Sequence, residues 1–241
     1  MSKGEHAVRR IADNIALQRF WLSAIALKHA LDFRSPFDFK AAAKSGPTLL
    51  VGEGNFRFSV ALSGLLGSAT SNMTATIFQP TNEYSDITSQ NARILRSRGV
   101  STMAGVDATN LSQWFGRRRF DLIVFQFPNV GSRDARYGRN PNHILVRRFL
   151  KSAAAHLSGE GQVAITVVNS SHYDRAFDMD GAAERNDYVL PVAYPFHLSD
   201  YAGYSHVKTK VDGVGAVDES DEFITYVFRL KERNGRKWIT P

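Results

Sequence analysis

Cysteine is absent from the 241 residues of this chain. A disulfide framework, a thiolate metal site and a cysteine nucleophile are therefore excluded, and a cytoplasmic location is expected. Long apolar runs are missing too: no stretch reaches 18 consecutive apolar residues, so we expect no transmembrane helix and no membrane partner. The first ten residues, MSKGEHAVRR, also lack the charged-then-apolar layout of a secretory signal.

Acidic residues are outnumbered by basic ones. The chain has 23 Asp and Glu against 30 Lys and Arg, which gives a net charge of +7. This balance suits an anionic partner such as RNA, although many ordinary enzymes carry a similar charge. Apolar residues make up 43% of the sequence, which is enough for a complete hydrophobic core.

Residues 1–45 form a segment with helical apolar spacing. From Leu17 to Leu31 apolar side chains fall on more than one helix face, and Phe20 and Trp21 lie among them. The helical pattern breaks at 32–37, and Ser-Gly-Pro at 45–47 closes the segment. The sequence leaves two interpretations open: a structural helical cap, or a lid over a ligand pocket.

Strands and helices alternate after residue 46. The strands are expected at 48–51, 73–78, 100–106, 120–125 and 162–168, with helices through residue 66, at 84–98 and at 142–157. This rhythm predicts an α/β fold with a parallel sheet. Alternating segments at 204–211 and 222–230 predict an antiparallel hairpin at one sheet edge.

The most specific local signal is VGEGNFRFS at 51–59. Gly52 and Gly54 permit a tight turn between a buried strand and a helix, where parallel sheets bind ligands. A dinucleotide fingerprint would have a third glycine at the position of Arg57. A nucleoside without phosphates, such as S-adenosylmethionine, needs only the first two glycines and a carboxylate that Glu53 can supply. The alternative is a purely structural turn.

Polar residues follow the next two strands. Gln79 comes after the second strand, where an acidic residue usually binds ribose hydroxyls. Asp107, with Ala108 and Thr109 behind it, follows the third strand and is expected near the adenine amino group. The alternative is that Asp107 only caps the next helix.

The fourth strand leads into Gln126-Phe127-Pro128-Asn129. In many amino-group methyltransferases a polar-Pro-aromatic segment at this place holds the reacting nitrogen with backbone and side-chain acceptors. An amine attacking a carbon next to a sulfonium needs its lone pair oriented by neutral acceptors rather than a strong base, because the leaving group is already good. The alternative is a strand exit bounded by proline.

Together these segments resemble the Rossmann-like domain of the 25S rRNA uridine-N3 methyltransferases. The matching stretches are VGEGNFRFS at 51–59, TAT at 74–76, GVDAT at 105–109, FDLIVFQFPNVG at 120–131 and YAGYSHVKT at 201–209. The resemblance implies a class I methyltransferase fold over residues 46–241, with a mostly parallel seven-stranded sheet, an antiparallel C-terminal edge and an N-terminal helical extension. It also implies an S-adenosylmethionine site without a metal, held by Gly52, Glu53, Gly54, Asn55, Phe56, Ser59, Gln79, Asp107, Ala108, Thr109, Phe127 and Pro128.

Three positions depart from that family. It tends to have Asp, Asn and His where this chain has Gln79, Gln126 and Asn129. In this respect the chain is similar to azetidine-2-carboxylate synthases, in which the α-amine of S-adenosylmethionine attacks the γ-carbon of the same molecule and expels methylthioadenosine. That resemblance implies catalytic roles for Gln126, Asn129 and Tyr173. Aromatic faces, with Tyr173, Phe20 and Trp21 as candidates, would support the sulfonium by cation–π attraction.

Arginines flank the fourth strand on both sides. Arg117, Arg118 and Arg119 precede it, and Arg133, Arg136, Arg139, Arg147, Arg148 and Lys151 follow it. They are either phosphate contacts or a solvated helix face. Histidines 143, 156, 172, 197 and 206 show no metal-ligand spacing.

The sequence therefore predicts, first, cyclisation of S-adenosylmethionine or another small-molecule alkyl transfer. Uridine-N3 methylation of rRNA follows, and a non-catalytic nucleoside-binding module comes third. The oligomeric state is left open.

Overall fold

The computed structural model describes residues 34–130, 141–169, 177–204 and 222–232. Its helices are α1 (Phe39–Lys44), α2 (Arg57–Leu66), α3 (Asp86–Ser97), α4 (Ser112–Phe115), α5 (Pro141–Ala154) and α6 (Met179–Glu184). Its strands are β1 (Thr48–Val51), β2 (Met73–Thr76), β3 (Ser101–Met103), β4 (Phe120–Gln126), β5 (Leu157–Asn169), β6 (Val192–Phe196) and β7 (Glu222–Arg229). Short 3₁₀ turns connect several of these elements.

The strands form one seven-stranded sheet in the order β3-β2-β1-β4-β5-β7-β6. The first five strands run parallel to one another, and β7 runs antiparallel to both of its neighbours. The predicted α/β class, the seven strands and the antiparallel C-terminal edge are confirmed. The carboxyl ends of β1, β2, β3 and β4 lie at one edge of the sheet, called here the carboxyl edge.

The predicted hairpin partner of β7 is wrong. The strand paired with β7 at the sheet edge is β6, with Phe196 opposite Phe223 and Pro195 opposite Ile224. Tyr204 lies in a loop beyond β6, and residues 205–211 lie outside the described residues. Proline is unusual inside a strand, so the sequence pattern did not predict β6. An edge strand tolerates a proline because the backbone on its open side makes no hydrogen bonds to another strand.

Several element boundaries also differ from the prediction. Helix α5 ends at Ala154 rather than 157, because Leu157 already pairs with Phe120 as the start of β5. The third strand covers only Ser101–Met103. Within the described ranges, no helix is long and apolar enough to cross a bilayer.

Apolar cores lie on both faces of the sheet. One core joins α5 and α6 to the sheet around Phe120, Phe149 and Tyr188. The other joins α1, α2 and α3 to it around Phe39, Phe58 and Leu95. Phe39 of α1 is fully buried and its ring lies 5.4 Å from that of Phe58. Residues 1–33 lie outside the described residues, so the predicted cap or lid, with Phe20 and Trp21, stays a prediction.

Candidate functional site

The turn after β1 brings the backbone close to the end of β4. Gly52 has φ +64°, and a Cβ placed on it would lie 2.3 Å from Cε2 of Phe125. Only glycine combines this left-handed backbone with so close an approach. The Glu53 N–H then donates to the Thr76 carbonyl at 3.2 Å, which ties the turn to β2 before α2 begins.

Glu53 is a buried carboxyl group in this turn. It is 6% exposed, and its Oε1 accepts a hydrogen bond from the Ser59 backbone N–H at 3.0 Å. Its Oε2 has no hydrogen-bond partner among the described residues. Burial raises the pKa of Glu53 from 4.5 to about 7, and the interactions with Ser59 oppose only part of that rise. The group therefore exchanges its proton near neutral pH.

Gln79 and Asp107 follow β2 and β3 at the same carboxyl edge. The Gln79 carbonyl accepts from the Gly105 N–H at 3.1 Å, which joins the two loops. Oδ1 of Asp107 accepts from both the N–H and the hydroxyl of Thr109 at 2.8 Å. Asp107 therefore caps the short turn at 108–110, as the alternative interpretation held, and at the same time lines the cavity described below.

Gln126 ends β4 with an unpartnered amide. The side chain is 7% exposed, and neither Oε1 nor Nε2 has a hydrogen-bond partner in the described part of the chain. The next residue, Phe127, has φ +51°, a left-handed conformation that is uncommon for a non-glycine residue and characteristic of functional sites. Its N–H donates to the Thr166 carbonyl at 2.8 Å. The backbone at the end of β4 is thus fixed by this hydrogen bond, and the unpartnered amide of Gln126 lies next to it.

These side chains meet around one cavity of about 900 Å³ at the carboxyl edge. The predicted residues that line it are Gly52, Glu53, Gly54, Asn55, Gln79, Asp107, Ala108, Gln126, Phe127 and Asn129. The carboxyl ends of parallel strands lie at the same edge of the sheet. Gly52 and Asn129, which are 77 positions apart in sequence, therefore line the same cavity.

Four predicted binding residues do not line the cavity. Phe56 is fully buried in the core near Tyr84, and Ser59 is buried in α2, where it holds Glu53. Thr109 turns its hydroxyl back to Asp107, and Pro128 is absent from the lining. Tyr173 lies outside the described residues, so its catalytic role stays a prediction.

Several lining residues were not predicted from the sequence. Tyr204, from the loop after β6, packs its ring 5.3 Å from that of Phe58. Burial, and secondarily the charge of Glu53, raise the pKa of the Tyr204 hydroxyl. Phe78 lines the cavity with 65% of its surface exposed. The only sequence signal for Tyr204 was its place in the matching stretch 201–209.

The arginine triplet at 117–119 lies away from this cavity. It precedes β4, whose seven residues span roughly 20 Å before the carboxyl edge. Arg118 lies over the Phe120 ring at 5.0 Å, and Arg119 donates to the Leu157 carbonyl at 3.1 Å. Arg147, Arg148 and Lys151 are exposed on α5, whereas residues 131–140 lie outside the described residues. The triplet therefore lies at the opposite, amino edge of the sheet.

No histidine is among the described residues that line the cavity. His156 is fully buried between the Arg118 carbonyl, at 2.9 Å, and the Ser112 hydroxyl, at 3.0 Å. Within the described ranges, no group of three or more His, Asp or Glu could hold a metal ion.

The polar atoms around the cavity fit a polar organic ligand. Buried polar groups in folded proteins nearly always have hydrogen-bond partners, so each exception calls for an explanation. Glu53 Oε2 and both amide atoms of Gln126 are such exceptions, and both residues line this cavity. A ligand with donors and acceptors, such as the methionine part of S-adenosylmethionine, would supply the missing partners.

The curated proteins that are similar to this chain in sequence include a human and a plant protein. The human ferredoxin-fold anticodon-binding domain-containing protein 1 is 33% identical over 170 residues, which cover 65% of this chain and 27% of that protein. An uncharacterized Arabidopsis thaliana protein is 38% identical over 170 residues and is covered over 78% of its length. The chain thus spans about a quarter of the human relative and most of the plant one.

Among solved structures, the chain is similar to the N-methyltransferase NodS from Bradyrhizobium japonicum WM9. The two are 13% identical with a TM-score of 0.48, and the match covers 91% of this chain and 99% of NodS. The family model described as rRNA (uridine-N3-)-methyltransferase BTM5-like matches residues 49–208. That range contains every lining residue named above and about two thirds of the sequence. The chain belongs to this BMT5-like family.

Proposed function

We propose that the chain binds S-adenosylmethionine in the cavity at the carboxyl edge and uses it to alkylate a nitrogen held by Gln126, the nitrogen being the α-amine of the same molecule. The glycine turn at 52–54 lets the backbone approach the ligand closely. Gln79 would hydrogen-bond the ribose hydroxyls through its neutral amide. Thr109 hydrogen-bonds Oδ1 of Asp107. The other carboxylate oxygen of Asp107 would accept a hydrogen bond from the adenine amino group.

The observation that carries the proposal is the unpartnered amide of Gln126. Its carbonyl accepts an N–H from an amine and leaves the nitrogen lone pair free to point at carbon. An acidic residue at the same place would favour the ammonium form, which has no lone pair to donate. Gln126 is 7% exposed, so water competes little for this hydrogen bond. A neutral acceptor in a dry site therefore suits nitrogen as the nucleophile.

The proposed reaction closes a four-membered ring. The α-nitrogen forms a bond to the γ-carbon, the bond from that carbon to sulfur breaks, and the electron pair goes to sulfur. The sulfonium becomes the neutral thioether of methylthioadenosine, and the other product is azetidine-2-carboxylate. The substrate carries both nucleophile and leaving group, so the enzyme needs chiefly to fold the methionine chain and hold the amine.

Uridine-N3 methylation of rRNA is the second candidate, favoured by the family match over 49–208. The imide edge of uracil presents an N–H next to a carbonyl, which the amide of Gln126 can pair with through both of its polar atoms. In that reaction N3 loses its proton and bonds to the methyl carbon as the bond from that carbon to sulfur breaks, and S-adenosylhomocysteine is released.

Product analysis separates the candidates. Incubation of the protein with S-adenosylmethionine alone should give methylthioadenosine, detected by mass spectrometry. Gln126→Met should lose most of this turnover, whereas Gln162→Met, the same change at the opposite edge of the sheet, should retain it. S-adenosylhomocysteine formed only when rRNA is added would replace the first candidate by the second. Absence of both products would leave a nucleoside-binding module.

A further inference from the structure

Cyclisation requires the reacting amine to lose a proton. An α-amino group has an ordinary pKa of about 8, so at pH 7 most of it is ammonium and has no lone pair. Gln126 can orient an amine but cannot accept a proton, because an amide is not a base in this pH range. A second group at the same cavity that accepts the proton would make the bound ammonium reactive at pH 7.

Glu53 is a carboxyl group suited to this task by its position. It lines the same cavity as Gln126 and is 6% exposed. The Ser59 N–H holds Oε1 at 3.0 Å, whereas Oε2 has no partner among the residues the structure describes. One oxygen is thus fixed by the fold and the other is left for the ligand. We propose that Oε2 of Glu53 accepts the proton that the substrate nitrogen loses before it attacks carbon; this proposal rests on the function proposed above.

The step balances as a proton transfer followed by substitution. The N–H bond breaks, an O–H bond forms on Glu53, and the electron pair stays on nitrogen. That pair forms the new bond to carbon as the bond from carbon to sulfur breaks. Glu53 then returns its proton to solvent, which accounts for the one proton released per turnover. In uridine methylation the same oxygen would take the imide proton.

The charged and titratable neighbours are compatible with this role. Tyr204 faces Glu53 from the loop after β6, and its raised pKa keeps it neutral at pH 7. Arg57 of α2, Glu83 and Tyr84 after β2, and Asp107 after β3 also line the cavity. Burial raises the pKa of Glu53 to about 7, close to that of the amine, so the proton moves between them with little change in free energy.

The test compares Glu53→Gln with Glu160→Gln, the same change at an exposed residue near the amino end of β5. Glutamine keeps a carbonyl oxygen for the Ser59 N–H but cannot accept the proton. At pH 7 we expect Glu53→Gln to lower kcat for methylthioadenosine formation by roughly 100-fold or more, and Glu160→Gln to leave it unchanged. Between pH 6 and 9 the deficit should shrink as the amine deprotonates in solution. A loss of the same size at every pH, or no loss, would overturn the proposal.

Calorimetry gives a readout that does not depend on turnover. Binding of S-adenosylhomocysteine, which carries the same α-amine, is measured at pH 7 in two buffers of different ionisation enthalpy. The wild type should release about half a proton, because the ammonium favours the ionised form of Glu53. Glu53→Gln should bind without that release, and equal proton counts would overturn the proposal. If the wild type makes no methylthioadenosine, the proposed function fails, and the proton count still decides whether the bound amine lies close enough to Glu53 to ionise it.

Discussion

Replacing Gly52 with alanine should destabilise the fold by about 2–5 kcal/mol. An alanine in the left-handed region costs roughly 1–2 kcal/mol. The new Cβ would also lie 2.3 Å from Cε2 and 2.8 Å from Cζ of Phe125. Packing limits how far that ring can move, since it is 5% exposed and lies edge-on to Phe149 with a centroid distance of 5.0 Å. Overpacking of this kind costs typically 1–3 kcal/mol more.

Gly99→Ala is the matched control. Gly99 follows α3 at the opposite edge of the sheet, with φ +83°, and a Cβ there would meet nothing closer than the Thr70 hydroxyl oxygen at 3.9 Å. This variant should therefore lose only the stability that the left-handed backbone costs an alanine, about 1–2 kcal/mol. The difference between the two variants isolates the contact with Phe125.

Urea unfolding followed by tryptophan fluorescence measures both variants. Calorimetry with S-adenosylhomocysteine should show weaker binding for Gly52→Ala and unchanged binding for Gly99→Ala. Equal losses of stability would refute the reasoning, because they would mean that the Phe125 ring moves aside freely and that the close approach of the turn to β4 is not a constraint on the fold.

Three further predictions concern polar residues at the cavity. Asp107→Ala should weaken S-adenosylhomocysteine binding, measured by calorimetry, because it removes the proposed acceptor for adenine. Gln126→Met should leave the free energy of unfolding unchanged or raise it by about 1 kcal/mol in urea titrations, because the amide has no partner to lose. Glu53→Gln should remove a pH dependence: the folded-state pKa of Glu53, about 7, lies above the ordinary 4.5, so wild-type stability falls as pH rises from 4.5 to 7, by at most about 3 kcal/mol.

Each of these predictions has a result that contradicts it. Unchanged binding by Asp107→Ala in a folded protein would mean that the carboxylate only caps its turn. A loss of more than about 2 kcal/mol in Gln126→Met would mean that the fold itself holds the amide. A wild type and Glu53→Gln variant that respond identically to pH between 5 and 8 would mean that Glu53 ionises at its ordinary pKa.

The sequence was most informative where local geometry and topology act together. Gly52 and Gly54 predict the turn after β1, and the alternation of strands and helices predicts a parallel sheet. Once the sheet is parallel, Gln79, Asp107 and Gln126 must meet at one edge, since each ends a strand or lies in the loop that follows one. The position of the site therefore followed from the order of elements, without any knowledge of side-chain contacts.

The sequence was least informative where the outcome depends on distant packing. Strand β6 was missed because Pro195 breaks its pattern, and only its place at the sheet edge makes that proline acceptable. Tyr204 reaches the cavity from a loop about 150 residues after Glu53. The burial that raises the pKa of Glu53 likewise comes from elements that no local motif specifies.

The two edges of the sheet differ in how well their polar groups are satisfied. At the amino edge, His156 has partners for both ring nitrogens, and Ser158 donates to Asp121. The buried side chains without a full set of partners in the described residues are those of Glu53, Ser59, Gln126 and Thr74. Three of these four lie in or beside the cavity, next to the strained backbone of Phe127. Natural folds break local rules chiefly where function requires it, so the unmet hydrogen bonds at the carboxyl edge support our proposal that the ligand binds there.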